Sequence, residues 1–234
     1  MKKLGLVGGV GPESTVVYYK RLNEEYRKRA EKTADSGDNP QMVIDSLNLA
    51  DAYNLANKGD WENFAKLFIR SIEALYRAGA DFAAISANTA HIVFDEITAE
   101  SPIPVVGVID EVCKYLQSKK CKKATIFGTG FTMASGMYEK ACEKYGIQAF
   151  VPGFDERQKI QSIIFPNLEA GIVLEEDKKV MLDIARSSLS EHQSDALVLG
   201  CTELPLIIKE SELSTLVVDT TEMHIEAIMR EILS

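Results

Sequence analysis

The most specific chemical group in the chain is a cysteine that directly follows a buried apolar run. The run 197–199 leads through Gly200 into Cys201, Thr202 and Glu203. A thiol at the carboxyl end of a strand and the start of a helix is expected to have a pKa below its free value of about 8.5. Such a thiol can take a proton from a carbon acid and return it. Cys201 is therefore a candidate acid–base catalyst, and a buried inert cysteine is the alternative.

A second polar set follows another apolar run. Ser86 and Ala87 are followed by Asn88 and Thr89, and then by His91. Amide and hydroxyl groups at the end of a strand can orient the carboxylate or ammonium group of a small ligand. The alternative is that Asn88 or Thr89 caps the next helix. For His91, a structural histidine and a catalytic one both fit the sequence.

A glycine-rich turn near the amino terminus offers backbone groups. The segment 8–12 reads Gly-Gly-Val-Gly-Pro between a predicted strand and a predicted helix. Glycine lets backbone amides around Gly9 approach an anion at the helix start, so we expect carboxylate binding there. A tight turn without a ligand is the alternative. Pro12 and the lack of an acidic residue after the second strand argue against a dinucleotide fingerprint.

These segments sit within a regular alternation of strands and helices. Amphipathic helical patterns separate short apolar runs, which is typical of a parallel sheet covered on both faces, with the active site at the carboxyl ends of its strands. The predicted strands are Leu4–Val7, Met42–Ser46, Phe82–Ser86, Val105–Val108, Ala124–Phe127, Ala149–Pro152, Ala196–Leu199 and Leu216–Asp219. The predicted helices are Glu13–Arg29, Trp61–Ala78, Ile109–Gln117, Ala134–Tyr145, Glu156–Ala170 and Glu176–Ser190.

An internal repeat indicates two similar halves. Residues 79–89 align without a gap with residues 193–203, which sets Ala87 opposite Cys201, and residues 4–11 match residues 124–131 in the same order. We expect an α/β fold of two pseudo-symmetric lobes, each a mostly parallel sheet flanked by helices, with the active site in the cleft between them. One lobe would comprise residues 1–112 and 212–234, the last strand and helix included. The other would comprise residues 113–211.

Composition restricts the class of protein. The net charge of −9 argues against a nucleic-acid partner. No apolar run is long enough to cross a bilayer, so we expect no membrane partner. The four cysteines (Cys113, Cys121, Cys142 and Cys201) show no close pairing, which argues against a metal site. The start of the chain is interpreted as a strand, not a signal peptide, so we expect a cytoplasmic protein with reduced thiols.

Three segments together resemble one enzyme family. Residues 4–15, 87–91 and 199–204 are similar, in order and spacing, to motifs of the aspartate/glutamate racemases. The resemblance implies an amino-acid racemase that uses neither pyridoxal phosphate nor any other cofactor or metal. In that family two cysteines on opposite lobes exchange the α-proton of a small amino acid, and the second-lobe cysteine serves the L-substrate. It also implies two α/β lobes and a homodimer.

The chain departs from the family pattern at the first catalytic position, which is Ala87 instead of cysteine. Three interpretations remain. The chain is a racemase whose cysteine has been replaced by alanine, or a natural member that uses water, Ser86 or Thr89 as its second proton carrier. Alternatively it is a one-thiol relative, such as a decarboxylase or another isomerase. A non-catalytic protein that binds small amino acids is a competing function.

The resemblance also implies substrate contacts. Asn88, Thr89 and Thr202, with backbone groups near Gly9 and Thr129, would bind the α-carboxylate and α-ammonium groups. Glu203 would hold the helix start or contact the substrate. Lys159 would bind a side-chain carboxylate, with a solvated helix start as the alternative. Residues 45–51 lack the arginine of aspartate-specific members, which favours a broader amino-acid racemase.

Overall fold

The computed structural model describes residues 1–29 and 38–234. Contacts between residues divide this part of the chain into two compact units. The first unit comprises Met1–Gly107 and His224–Ser234, and the second comprises Val108–Met223.

The first unit carries strands and helices in alternation. In chain order they are β1 (Leu4–Gly8), α1 (Pro12–Arg29), β2 (Met42–Ser46), α2 (Leu49–Asn57), α3 (Trp61–Arg77), β3 (Phe82–Ile85), α4 (Phe94–Glu100) and β4 (Val105–Val106). A 3-10 turn, Thr89–Val93, precedes α4.

The second unit repeats the pattern. In chain order its elements are α5 (Val108–Ser118), β5 (Lys123–Gly128), α6 (Gly130–Ala134), α7 (Met137–Glu143), β6 (Gln148–Phe150), α8 (Phe154–Ile164), α9 (Glu175–His192), β7 (Ala196–Gly200), α10 (Leu204–Ile207) and β8 (Leu216–Asp219). The last helix, α11 (Thr220–Leu233), begins in this unit and continues into the first.

Each unit contains one four-stranded parallel sheet with the same connectivity. The strand orders are β2-β1-β3-β4 and β6-β5-β7-β8. The central strands β1, β3 and β7 are buried along their whole length. Continuous burial follows from helices on both faces of a parallel sheet, which explains why these strands lack the polar–apolar alternation of a half-exposed sheet. The predicted α/β class with two such sheets is confirmed.

The two sheets also share a detail at their amino-terminal edge. Asp81, just before β3, accepts a hydrogen bond from the backbone N–H of Lys3 at 2.7 Å. Asp195, just before β7, accepts from the backbone N–H groups of Lys122 and Lys123 at 2.7 and 3.0 Å. Asp81 and Asp195 are aligned in the internal repeat. The repeat therefore preserves a specific contact between neighbouring strands as well as an apolar pattern.

The placement of the last strand differs from the prediction. The sequence pattern predicts Leu216–Asp219 in the first lobe, but β8 pairs with β7, with Leu199 opposite Asp219. Pairing satisfies the backbone groups along the free edge of β7, and an apolar pattern alone does not indicate which of two sheets a strand joins. The boundaries between the units lie at residues 107/108 and 223/224, not at 112/113 and 211/212.

Two predicted helices are shorter or broken in the structure. The segment 134–145 is interrupted at Gly136, which has a φ of 70° and separates α6 from α7. The segment 156–170 ends at Ile164, followed by a 3-10 turn at Leu168–Ala170. Pro166 cannot donate the next helical hydrogen bond, which accounts for the early end of α8.

Candidate functional site

Cys201 lies directly after β7, at the carboxyl edge of the second sheet. Gly128 and Gly200 are opposite one another in β5 and β7, so Thr129 and Cys201 leave adjacent strands at the same edge. Asp219 ends β8 on the other side of β7. The carboxyl edge of a parallel sheet is where ligands bind in α/β folds. Of the predicted site residues in this unit, Thr129, Cys201, Thr202 and Glu203 share this edge.

The Cys201 thiol is in direct contact with a carboxylate. Its Sγ donates to Oε2 of Glu203 at 2.8 Å, and the Thr202 hydroxyl donates to Oε1 of the same carboxylate at 2.7 Å. Cys201 and Glu203 are each 8% exposed, and Thr202 is half-buried. One buried carboxylate thus accepts hydrogen bonds from both the Cys201 thiol and the Thr202 hydroxyl.

This environment raises the pKa of the Cys201 thiol well above its ordinary value. Burial is the main cause, and the negative charge of Glu203 adds to it. The prediction of a lowered thiol pKa is therefore wrong. The short helix α10 begins only at Leu204, and its amino terminus does not outweigh the burial and the adjacent carboxylate.

A second carboxyl group near the thiol was not predicted from the sequence. Glu169 lies in the 3-10 turn before α9 and is half-buried. Its pKa is raised by burial and by the charge of Glu203, and its own charge raises the pKa of Cys201. No sequence motif marks Glu169, because it reaches this edge through the fold of the α8–α9 connection.

Thr129 has a structural role at the start of α6. Its Oγ1 accepts from the backbone N–H of Thr132 at 3.3 Å and caps the helix. The next backbone N–H, that of Gly130, donates to Oε1 of Gln161 at 2.6 Å. The backbone near Thr129 is therefore already bonded within the protein.

Lys159 does not lie on the buried side of α8. Its side chain is exposed, whereas Ile160 next to it is buried. The half-buried basic residue of this helix is Arg157, which donates to the carbonyl of Met133 at 3.4 Å. The solvated helix start, the alternative for Lys159, agrees with this exposure.

In the first unit, the glycine turn is fixed by its own side chains. Gly9 has a φ of 83°, and a Cβ at this position would lie 2.1 Å from the carbonyl oxygen of Leu47. The Gly9 N–H donates to Oγ1 of Thr15 at 2.9 Å, and this hydroxyl lies 3.5 Å from Oγ of Ser86. Thr15 thus joins the turn after β1 to the turn after β3. The Gly9 amide is occupied within the protein, as a plain tight turn would require.

Ala87 follows β3 just as Cys201 follows β7. Leu4 is opposite Phe82, and Ala124 is opposite Ala196, so the two strand ends correspond. Ala87 is partly exposed, whereas Ser86 before it is 1% exposed. The Ser86 hydroxyl donates to the carbonyl of Val7 at 3.2 Å. At this position the first unit presents a methyl group where the second presents a thiol.

Asn88 and Thr89 are half-buried and begin the 3-10 turn, in which the Asn88 side chain makes no capping hydrogen bond. His91 behind them is buried, and its Nδ1 donates to the carbonyl of Ala87 at 3.1 Å. Burial and the nearby His224 lower the pKa of His91 to about 3, so the ring is neutral near pH 7. His91 therefore supports the backbone of Ala87 as a structural residue.

Neither a metal-binding group nor a membrane helix is found in the described ranges. Residues 1–29 and 38–234 include no cluster of three or more His, Cys, Asp or Glu side chains that could hold a metal ion. Within the same ranges, no helix combines the length and the apolar content needed to cross a membrane.

Comparison with known proteins gives consistent similarities. A sequence model of the family described as Asp/Glu/Hydantoin racemase matches residues 7–228. The broad specificity amino-acid racemase RacX of Bacillus subtilis (strain 168) is 22% identical over 218 residues, which are 93% of this chain and 92% of that protein. The glutamate racemase of Aquifex aeolicus (strain VF5) is 30% identical over 134 residues, but the match spans only 50% of its length and 56% of this chain.

A solved structure extends the similarity over the full length. The crystal structure of an aspartate racemase homologue from Pyrococcus horikoshii OT3 is 32% identical, with a TM-score of 0.85 and complete coverage of both chains. The similarity therefore includes both units and the order of their strands.

Proposed function

The chain belongs to the Asp/Glu/hydantoin racemase family, and on this basis we propose that Cys201 is the thiol through which it exchanges the α-proton of a small amino acid. The protein is an amino-acid racemase. Its mechanism is independent of pyridoxal phosphate, and no other cofactor takes part.

One observation carries this proposal, namely the contact of 2.8 Å between the Cys201 thiol and the Glu203 carboxylate. A buried thiol is a poor base unless a neighbouring group takes its proton. Glu203 is within hydrogen-bonding distance and accepts the thiol proton when Cys201 is to act as a base. The proton moves from Sγ to Oε2, and the resulting thiolate removes the α-proton of the substrate.

Before the reaction the Cys201 thiol is in the form needed for the reverse step, which is protonation of the substrate carbanion. Because burial and Glu203 keep the Cys201 pKa high, the thiol carries its proton. It can deliver that proton to a carbanion, after which the thiolate regains a proton from water. We assign Cys201 to the L-face of the substrate, following the family resemblance of its motif.

The opposite face lacks a thiol because position 87 is alanine. Of the two hydroxyls considered as substitutes, Ser86 is buried and bonded to the Val7 carbonyl, which disfavours it. Water or the half-buried Thr89 remains as the second proton carrier. Proton return on this face is therefore slow, and the enzyme exchanges the α-proton faster than it racemises.

The proposed substrate contacts are polar side chains that follow strands β3 and β7. Following the family resemblance, we assign Asn88, Thr89 and Thr202 to the α-carboxylate and α-ammonium groups. Glu203, with its negative charge, favours the ammonium group. Residues 45–51 contain no arginine, and Lys159 is exposed. We therefore propose a substrate range broader than aspartate and glutamate. The relative RacX is described as a broad specificity amino-acid racemase.

Restoring a thiol at position 87 tests this assignment. Ala87→Cys should raise the rate of D-amino-acid formation from the L-enantiomer at least about tenfold, because a positioned acid–base group contributes about 10²–10⁴ in rate. Chiral chromatography measures the product. The control is Ala99→Cys, which adds a thiol to an exposed position of α4 in the same unit, and this variant should match the unmodified protein.

The double variant Ala87→Cys/Cys201→Ala should lose the gain. Circular dichroism of each variant confirms that it is folded. If folded Ala87→Cys forms no more D-product than Ala99→Cys, position 87 is not the missing acid–base position.

A further inference from the structure

Two buried cysteines of the second unit, neither of which takes part in the proposed proton transfer, touch one another. Sγ of Cys113 on α5 lies 3.2 Å from Sγ of Cys142 on α7. Both residues are 0% exposed, and both are free thiols. The sulfur atoms are already in contact in the folded protein, although 28 residues separate them along the chain.

Hydrogen bonds around the pair hold the two helical segments together. The Tyr145 hydroxyl, just after α7, donates to the Asp110 carboxylate in the first turn of α5. The Tyr145 carbonyl accepts from Nε2 of Gln117, in the last turn of α5, at 3.1 Å. Asp110 and Gln117 lie on either side of Cys113 in sequence, so one residue following α7 is bonded to both ends of α5. The thiols are therefore kept close together as long as the second unit is folded.

We propose that Cys113 and Cys142 form an oxidation site that hydrogen peroxide converts into a disulfide linking α5 and α7. A disulfide has an S–S distance of about 2.05 Å, so the two sulfur atoms need to approach by only about 1 Å. The reaction is balanced with peroxide as the two-electron oxidant. One sulfur attacks a peroxide oxygen, the O–O bond breaks, and a sulfenic acid and water form. The second sulfur attacks the sulfenic sulfur, the S–S bond forms, and a second water leaves with the remaining thiol proton.

The formation of the disulfide is slow at neutral pH. The contact with Cys142 and burial raise the pKa of Cys113, so little of it is thiolate, which is the reactive form. Peroxide must also reach a site without solvent exposure. Oxidation should therefore accelerate as the pH rises and should take place without loss of the fold.

The disulfide should stabilise the second unit. It closes the chain between residues 113 and 142 and restricts the unfolded state of that segment. For a protein of this size we expect the midpoint of thermal unfolding to rise by about 5 °C or more. Reduction with dithiothreitol should reverse the shift.

The test begins with the unmodified protein. After treatment with hydrogen peroxide the protein is unfolded, its remaining thiols are alkylated, and it is digested with trypsin without reduction. Lysines separate the two cysteines, so mass spectrometry should find a peptide containing Cys113 joined to one containing Cys142, about 2 Da lighter than the sum of the two.

Variants supply the controls. Cys113→Ser and Cys142→Ser should show neither the linked peptide nor the rise in the unfolding midpoint. Cys121→Ser, which replaces another buried cysteine of the same unit, should retain both. The folded protein is treated with peroxide, then unfolded and alkylated. The proposal is overturned if Cys113 and Cys142 are both fully alkylated in this experiment, or if Cys113 is found linked to a different cysteine. Because the readouts are a covalent bond and a melting temperature, they do not depend on the proposed racemase mechanism.

Discussion

The Glu203 carboxylate determines how the Cys201 thiol can act. The thiol donates a hydrogen bond to the carboxylate at 2.8 Å, and in the proposed mechanism the proton between them has two positions. In one the proton is on sulfur, and in the other it is on Glu203 and the sulfur is a thiolate. The ratio of these forms does not change with pH as long as the pair as a whole retains a single proton. In the proposed mechanism, proton removal by Cys201 therefore does not depend on thiolate formed by exchange with solvent.

The Glu203→Gln variant tests this sharing of the proton. In the unmodified protein the rate of α-proton exchange should vary by less than about twofold from pH 7 to pH 9. In Glu203→Gln the thiol must lose its proton to solvent, and burial, the main cause of its high pKa, remains. The rate should then be at least about 10²-fold lower at pH 7 and rise about tenfold per pH unit. Exchange is followed by proton NMR in buffered D2O.

The exposed Glu210→Gln is the matched control and should behave like the unmodified protein. A tenfold rise per pH unit in the unmodified protein would show that Glu203 does not accept the thiol proton.

At the residue scale, the segment 200–203 identifies Cys201 as the reactive group but does not predict the contact of its thiol with Glu203. The expected helix start predicts a lowered pKa of the Cys201 thiol, whereas in the structure burial and Glu203 raise it. Glu169 could not be predicted, because its effect on Cys201 arises from the path of a loop. The role of Lys159 stays a prediction, because a charge run does not tell which residue of a helix faces the protein.

At the scale of elements, the turn between β1 and α1 holds the first strand end in place. Gly9 adopts a left-handed backbone conformation against the backbone of Leu47, and Thr15 from α1 bonds back to it. The same hydroxyl lies beside Ser86 at the end of β3. The turn therefore fixes the position of the Ser86–Thr89 segment, although its amide is not available to a ligand.

The paired variants Gly9→Ala and Gly11→Ala separate the two glycines of this turn. At Gly9 a methyl group would meet backbone atoms at 2.1 Å in a φ region unfavourable for alanine, so the free energy of unfolding should fall by about 2–4 kcal/mol. At Gly11 a Cβ would meet no atom within 4 Å, so the change should be less than about 1 kcal/mol. Urea-induced unfolding measures both, and equal losses in the two variants would refute this account of the turn.

The sequence predicts the buried strands well. It does not predict the short helices or the sheet to which the last strand belongs. All eight predicted strands are present within one to two residues at each end. Helices α2, α4 and α10, of nine, seven and four residues, were not predicted, because so few turns give a weak periodic pattern. The sheet to which β8 belongs follows from pairing along β7, which hydrophobicity cannot specify.

At the scale of the whole molecule, duplication explains both the fold and its asymmetry. The two sheets have the same strand order, and the strands that precede Ala87 and Cys201 have equivalent neighbours. The aligned Asp81 and Asp195 retain the same backbone contacts, while the aligned Ala87 and Cys201 differ. The repeat thus retains the contacts that build the sheets and differs at the position to which we assign the proton transfer. The homodimer, the cytoplasmic location and the site in a cleft between the lobes stay predictions.

The most direct measurement of this asymmetry is α-proton exchange in D2O, followed by proton NMR on separate L- and D-enantiomers of aspartate, glutamate and a panel of neutral amino acids. The account predicts that at least one L-enantiomer loses its α-proton signal much faster than it racemises. Its D-enantiomer should exchange slowly, and Cys201→Ala should exchange neither. Exchange of the L-enantiomer that persists in Cys201→Ala, or equal exchange of both enantiomers by the unmodified protein, would contradict the assignment of Cys201 as the single thiol acting on the L-face.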